Sequence, residues 1–221
     1  MIDLSKGRNE VHNICLGNQY LNGLKARVAW VIDYSGSMSN LYNNGIVQRL
    51  LEKLFPIALE FDDNGQMESW LFTSSFERLN DVTMNNIEGY INNEIIQKGY
   101  KMGATSYAPV MRDVFQRYVR EEPSYIANYV IFITDGDNDL FDKTAVKKFM
   151  KDASKESIFW QFVGLGNSTF SFLEKLDDMK FRYVDNADFF VAKDINAITY
   201  NELLNEFSGW LANEKVQNML H

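Results

Sequence analysis

Cysteine and histidine, two residue types that often carry catalysis or metal binding, are nearly absent from this 221-residue chain. Cys15 is the single cysteine, so an intramolecular disulfide is excluded and a reducing compartment is favoured. The two histidines, His12 and His221, lie far in sequence from the polar loops described below. A Ser-His-Asp hydrolase would therefore have no convincing histidine base.

Long apolar runs and basic runs are also missing. No apolar run approaches the ~20 residues that a membrane-spanning helix needs, and the polar first residues do not resemble a signal peptide. The formal net charge is −8, and lysine and arginine are scattered along the chain, which speaks against binding to nucleic acid or to a membrane. We expect a cytoplasmic protein that can bind an acidic partner only where a metal ion bridges the two.

The residues that are present predict one α/β domain. Hydrophobic residues make up 46% of the chain and aromatic residues 14%, which is ample material for a core. Continuous apolar runs at 28–32, 129–133 and 158–163 are typical of strands buried on both faces. Helical patterns alternate with them, so we predict a three-layer, Rossmann-like fold whose mostly parallel sheet has helices on both faces. Residues 1–24 predict a short arm or hairpin packed on the domain, which covers residues 25–221.

The weaker patterns predict the remaining elements. Pro56 should kink or end the helix that contains it. We further expect strands at 67–72, 76–79 and 181–184, and helices at 84–97, 108–120, 143–155, 169–176 and 200–219.

Chemistry is expected where the strongest strands end. Asp33 and Asp135 each follow a buried strand, and open parallel sheets bind ligands outside the carboxyl ends of their strands. In the segment Asp-Tyr-Ser-Gly-Ser, near-extended backbone would let Asp33, Ser35 and Ser37 converge on one point, with Gly36 permitting a sharp turn. Hydroxyl and carboxylate oxygens, without sulfur or imidazole, favour Mg²⁺, with Mn²⁺ or Ca²⁺ possible, over zinc or copper.

These segments resemble the metal-ion-dependent adhesion site of von Willebrand factor A (vWA) domains. Asp33, Ser35 and Ser37 match the family's Asp-x-Ser-x-Ser loop, Thr105 matches its isolated threonine, and Asp135 lies in the Thr-Asp-Gly of its third loop. The resemblance implies that the three hydroxyls touch the metal directly. It also implies that the two aspartates hold the ion largely through water and orient the hydroxyls. Neutral hydroxyl ligands would leave the ion attractive to a carboxylate from a partner.

A closer resemblance is carried by the segments 26–28, 42–49, 61–65, 70–72 and 105–111. They resemble the intracellular vWA proteins of tellurite-resistance and stress-response operons. This resemblance implies a neighbourhood and no mechanism, because a family does not define a function.

Three functional hypotheses follow. The first is a non-catalytic interaction module that binds an Asp or Glu of a protein partner through Mg²⁺, in a bacterial tellurite or stress-resistance assembly. The second is a metal-dependent hydrolase such as a phosphatase, with Asp33 as nucleophile, although enzymes of that kind use Asp-x-Asp and Ser35 stands at the second position. The third is a structural vWA domain with no working site, or a role in metal storage or toxic-anion handling.

Four further residues near the motifs carry expectations of their own. Asp137 and Asp139 predict a solvated acidic rim that adds negative field near the ion. Tyr34 and Tyr107 flank the site and could either shape the rim of a partner pocket or turn inward.

Overall fold

The computed structural model describes residues 3–220 and contains one six-stranded sheet with the strand order β3-β2-β1-β4-β5-β6. All neighbouring strands run parallel except β3, which pairs antiparallel with β2 at one edge. The strands are β1 (Ala26–Asp33), β2 (Glu68–Phe72), β3 (Phe76–Arg78), β4 (Ala127–Thr134), β5 (Ile158–Leu165) and β6 (Ala187–Ala192). The predicted α/β class and mostly parallel sheet are confirmed.

Helices cover both faces of this sheet. They are α1 (Ser5–Leu16), α2 (Ser39–Asn43), α3 (Ile46–Phe61), α4 (Ala108–Phe115), α5 (Leu140–Ala153), α6 (Ser171–Asp177), α7 (Tyr200–Leu211) and α8 (Glu214–Gln217). Within residues 3–220, no helix has both the length and the apolar character needed to cross a membrane.

The alternation of side chains along β1 divides the core into two layers. Trp30 and Ile32 pack on one face with residues of α1, α3 and α7, whereas Ala29 and Val31 pack on the other face with residues of α4, α5 and α6. Because β1, β4 and β5 are covered on both sides, almost all of their residues are buried, which explains their uninterrupted apolar sequences.

The N-terminal segment differs from the predicted arm or hairpin, because it contains the twelve-residue helix α1. Val11 and Cys15 are buried, and they belong to the core layer shared with α3 and α7. The sequence of this segment shows only a weak helical periodicity of apolar residues, and its glycines interrupt that pattern. Packing against the rest of the domain therefore determines that the segment is helical.

Two predicted elements differ in the structure. In the expected helix at 84–97, only residues 90–96 are helical, with Asn92–Ile96 in a π-helical turn, and the residues before them form turns. The expected strand at 181–184 is irregular, and the sixth strand is instead β6. Phe181 has a φ of 66° and is 89% exposed, and within this segment only Val184 is buried in the core, so the segment does not form a strand.

Other boundaries shift for local reasons. Helix α3 continues through Pro56, so the expected end of that helix does not occur. The helix predicted at 108–120 changes to a π-helical turn at Gln116–Glu121. The last helix is interrupted at Asn213, whose side chain caps α8 by accepting the amide N–H of Lys215 at 3.0 Å.

Candidate metal centre

The candidate centre lies at the carboxyl ends of β1 and β4, which are neighbours in the sheet. Parallel pairing sets Ile32 beside Ile133, so Asp33 and Thr134 leave the sheet side by side. The Thr134 hydroxyl donates to Asp33 Oδ2 at 2.6 Å, a contact between residues 101 positions apart in the chain. Strand register therefore brings together the first and third loops of the site.

Asp33 is completely buried, and both of its carboxylate oxygens are engaged. Oδ1 accepts the amide N–H of Ser35 at 2.7 Å, and Oδ2 accepts the Thr134 hydroxyl. Burial raises the pKa of Asp33 from its ordinary 3.8 to about 6, although these hydrogen bonds oppose the change. A negative charge at this position is therefore costly until a cation comes near.

The two motif serines converge as predicted, but through a different backbone path. Ser35 is extended, and a 3₁₀ turn over Gly36–Met38 then brings the Ser37 hydroxyl to 3.1 Å from that of Ser35. Extended alternation does not bring them together. Gly36 has no positive φ, and a Cβ there would meet nothing within 4 Å. The backbone at this turn therefore does not require a glycine.

The loop that follows β4 also contributes Asp135, which lies in the same cluster. Ser37 Oγ donates to Asp135 Oδ1 at 2.7 Å. Burial also raises the pKa of Asp135, and the bond from Ser37 opposes the rise. Hydrogen bonds thus connect Asp33 to Ser35, Ser35 to Ser37 and Ser37 to Asp135.

Thr105 reaches this edge of the sheet on a separate loop. Gly103 is attached to the serine loop by two backbone bonds, since its carbonyl accepts Gly36 N–H at 3.2 Å and its amide donates to the Tyr34 carbonyl at 3.4 Å. The Thr105 carbonyl accepts the amide of Asp139 at 3.1 Å. The structure thus places Thr105 between the first and third loops, although its side chain takes no part in the hydrogen-bonded chain described above.

Sequence reasoning missed Asp142, whose hydrogen bonds hold the segment that follows Thr105. This buried carboxylate accepts the backbone amides of Tyr107 at 2.5 Å and Ala108 at 3.0 Å, and the Asn138 side chain at 2.6 Å. It therefore joins the start of α4 to the start of α5. Its place, three residues after the helix cap Asp139, was the available sequence signal.

The expected solvated rim is only partly present, because Asp139 is exposed but Asp137 is not. Asp137 is half-buried, forms a 2.8 Å ion pair with Lys143 and accepts the amide of Phe172 at 3.2 Å. Asp139 caps α5 by accepting the amides of Phe141 and Asp142, which lowers its pKa. Both carboxylates accept hydrogen bonds from backbone amides around the site.

The two flanking tyrosines turn inward. Tyr107 is fully buried, and its hydroxyl donates to the Gly136 carbonyl. Tyr34 is 7% exposed and packs edge-on against Tyr42, whose hydroxyl donates to the Asp33 carbonyl at 2.9 Å. The aromatic rings therefore hold the loops and leave the rim to polar groups.

The oxygen donors fit a small hard cation. Ligands about 2.1 Å from an octahedral Mg²⁺ lie about 3 Å from their neighbours, close to the 3.1 Å between the two serine hydroxyls, while Asp135 accepts a 2.7 Å hydrogen bond from Ser37. Within residues 3–220, no three His, Cys, Asp or Glu side chains form a metal cluster. The hydrogen-bonded cluster consists of two carboxylates and hydroxyls.

The sheet order, the covering helices and the polar loops define a vWA domain. A family model described as the vWA domain found in the C terminus of TerF matches residues 25–220, and the chain belongs to this family. A Bacillus subtilis protein, uncharacterized protein YcbR, is 38% identical over 225 residues, which cover 99% of this chain and 90% of that protein.

Solved structures share the fold at low sequence identity. Proximal thread matrix protein 1 from the mussel byssus, with a zinc-occupied MIDAS motif, is 16% identical with a TM-score of 0.54 over 84% of this chain and 45% of that one. The ArnB paralog VWA2 from Sulfolobus acidocaldarius is 15% identical, with a TM-score of 0.50 over 78% and 42%. The PilB minor pilin from Streptococcus sanguinis is 15% identical, with a TM-score of 0.52 over 89% of this chain and 62% of that one. The chain spans less than two thirds of each of these structures.

Proposed function

We propose that this chain is a non-catalytic interaction module that binds an Asp or Glu side chain of a protein partner through one divalent cation, with Mg²⁺ preferred. Ser35, Ser37 and Thr105 would be the direct ligands, and Asp33 and Asp135 would hold water and orient the hydroxyls. The observation that carries this proposal is the pair of serine hydroxyls 3.1 Å apart, one of which is bonded to Asp135.

The charge balance of this donor set favours capture of an acidic group. Three neutral hydroxyls do not neutralise a divalent ion, and Asp33 lies beneath the surface with both oxygens engaged. A carboxylate from outside can therefore complete the coordination and the charge. The zinc-occupied MIDAS motif of the mussel protein is a precedent for a metal in this fold, and it leaves the choice of ion in this chain to experiment.

The same arrangement weighs against the hydrolase hypothesis. A nucleophilic carboxylate needs a free oxygen facing the substrate, whereas the oxygens of Asp33 accept bonds from Ser35 and Thr134 inside the protein. We therefore propose that the chain has no enzymatic activity, and a broad phosphatase screen with Mg²⁺ tests this directly.

The proposed setting is a cytoplasmic bacterial assembly that responds to tellurite or other stress. The family match to the vWA domain of TerF and the single buried cysteine support this setting. Growth of a deletion strain on tellurite tests this proposed setting.

The interaction role is tested by co-purification from native lysate in Mg²⁺ and in EDTA. The wild-type chain should retain partners in Mg²⁺ that EDTA releases, and Ser37→Ala should not retain them. Ser75→Ala is the matched control, because Ser75 is an exposed serine in the loop after β2, outside the proposed ligand set. Identical partners for all three proteins in both buffers would contradict the proposal.

A further inference from the structure

A pocket of about 500 Å³ opens beside the candidate metal centre. Ser37 and Asp135 form one end of it, so any ligand on the metal also faces this space. The rest is built by the loops after β5 and β6 and by the start of α3. Its apolar lining residues are Leu41, Ile46, Leu165 and Ile195.

Two cationic side chains line this pocket without an anionic partner. The Arg49 guanidinium donates a hydrogen bond to the Asn44 carbonyl at 3.3 Å, and Lys193 follows directly after β6. Across residues 3–220, neither forms an ion pair with a carboxylate. Asp194, which also lines the pocket, accepts the backbone amide of Asn196 at 2.7 Å.

This placement is informative because the chain has 30 acidic residues and only 22 basic ones. Other arginines near the sheet, such as Arg78 and Arg117, are paired with carboxylates. The carboxylates of Asp135 and Asp194 line the same space and balance these two cations, so the local field becomes positive and attracts an anion once a divalent ion is held beside Asp135.

We infer that this pocket is a second anion subsite, and that the partner segment carries two acidic side chains, one for the metal and one for Arg49 and Lys193. This inference rests on the proposed function and specifies its ligand. The apolar residues that line the same pocket suit the methylene groups of glutamate better than a compact, fully hydrated anion. The metal site alone would accept any accessible carboxylate, so the pocket supplies the selection.

The test uses the ¹⁵N-labelled full chain in NMR titrations, which measure weak binding. The probes are blocked peptides with two glutamates separated by one, two or three glycines. Each has matched peptides in which either glutamate is replaced by glutamine. In Mg²⁺, the two-glutamate peptide of best spacing should bind about 3- to 30-fold tighter than its one-glutamate versions, from two partly exposed ion pairs. EDTA should abolish the binding of both the two-glutamate and the one-glutamate peptides.

A charge-matched pair of variants locates the second subsite. Arg49→Gln with Lys193→Gln should remove the advantage of the second glutamate and leave the affinity for one-glutamate peptides unchanged. Lys6→Gln with Arg8→Gln removes the same charge from exposed positions on α1 and should preserve the advantage.

The outcomes separate this inference from the proposed function. If one- and two-glutamate peptides bind equally at every spacing in Mg²⁺, or if the advantage survives in the Arg49 and Lys193 variant, the second subsite is refuted while metal-dependent binding stands. If no peptide binds in Mg²⁺, carboxylate capture by the metal fails, and the second subsite fails with it.

Discussion

Replacing Asp33 with asparagine should stabilise the metal-free protein and abolish its response to Mg²⁺. Asparagine keeps an oxygen that can accept the Ser35 amide, and its amide group can donate to the Thr134 hydroxyl, which is itself within 3.1 Å of the Gly136 carbonyl. The substitution therefore removes a buried charge while the hydrogen bonds can be rebuilt.

The magnitude follows from the pKa of Asp33. Burial raises that pKa from 3.8 to about 6, and one pKa unit corresponds to about 1.4 kcal/mol. A carboxyl whose pKa is higher in the folded state favours folding while protonated. Its contribution is complete below about pH 4 and is lost as the pH rises through about 6. Above that pH, the metal-free wild type should be about 3 kcal/mol less stable than Asp33→Asn.

Urea unfolding in EDTA at pH 4.5 and pH 7.5 measures this difference. The advantage of the variant should be small at the lower pH and should grow to about 3 kcal/mol at the higher one. Saturating Mg²⁺ should stabilise only the wild type, by about 2.7 kcal/mol at one hundred times Kd. A variant that is less stable than wild type in EDTA at pH 7.5 would refute the reasoning that the buried charge of Asp33 destabilises the metal-free protein.

Three further predictions follow from the residues around the site. Asp142→Ala should cost about 2–4 kcal/mol in urea unfolding and weaken Mg²⁺ binding, because it leaves the amides of Tyr107 and Ala108 unpaired; unchanged stability and Mg²⁺ affinity would contradict this. Asp139→Ala should lower stability by about 1 kcal/mol through loss of the α5 cap, whereas Asp139→Asn should keep most of it; equal losses in the two variants would count against capping. Mg²⁺ affinity of the wild type should fall steeply as the pH drops below about 6, where protons compete for Asp33, and a flat calorimetric profile from pH 5 to 8 would exclude that competition.

The central sheet could be predicted because its signal is local. A strand covered on both faces, such as β1, β4 or β5, must be apolar throughout, and each run reveals itself in the sequence. The site followed from the sheet, since parallel strands bring Asp33 and the Thr134 loop to one edge wherever they lie in the chain.

Elements whose structure depends on tertiary contacts could not be predicted in this way. Helix α1 is fixed by burial of Val11 and Cys15 against α3 and α7, and its own sequence gives a weak periodicity. The supporting role of Asp142 depends on two backbone amides more than 30 residues away. Such contacts leave no local pattern.

Surface charge shows the same limit. The lysines are scattered in the sequence, but the fold gathers several of them around one shallow depression beside the exposed ring of Phe181. They come from α5, from α6 and from the segment that follows α6: Lys147, Lys148, Lys151, Lys175 and Lys180. Linear spacing alone therefore understates local charge on this acidic protein.

Calorimetric titration of the intact, EDTA-stripped chain with Mg²⁺, Mn²⁺ and Ca²⁺ tests the central claim most directly. The predicted result is uptake of one Mg²⁺ per chain, lost in Ser37→Ala and retained in Ser75→Ala. If the wild type takes up none of the three ions, the assignment of a metal centre is contradicted. The five assigned residues are Asp33, Ser35, Ser37, Thr105 and Asp135.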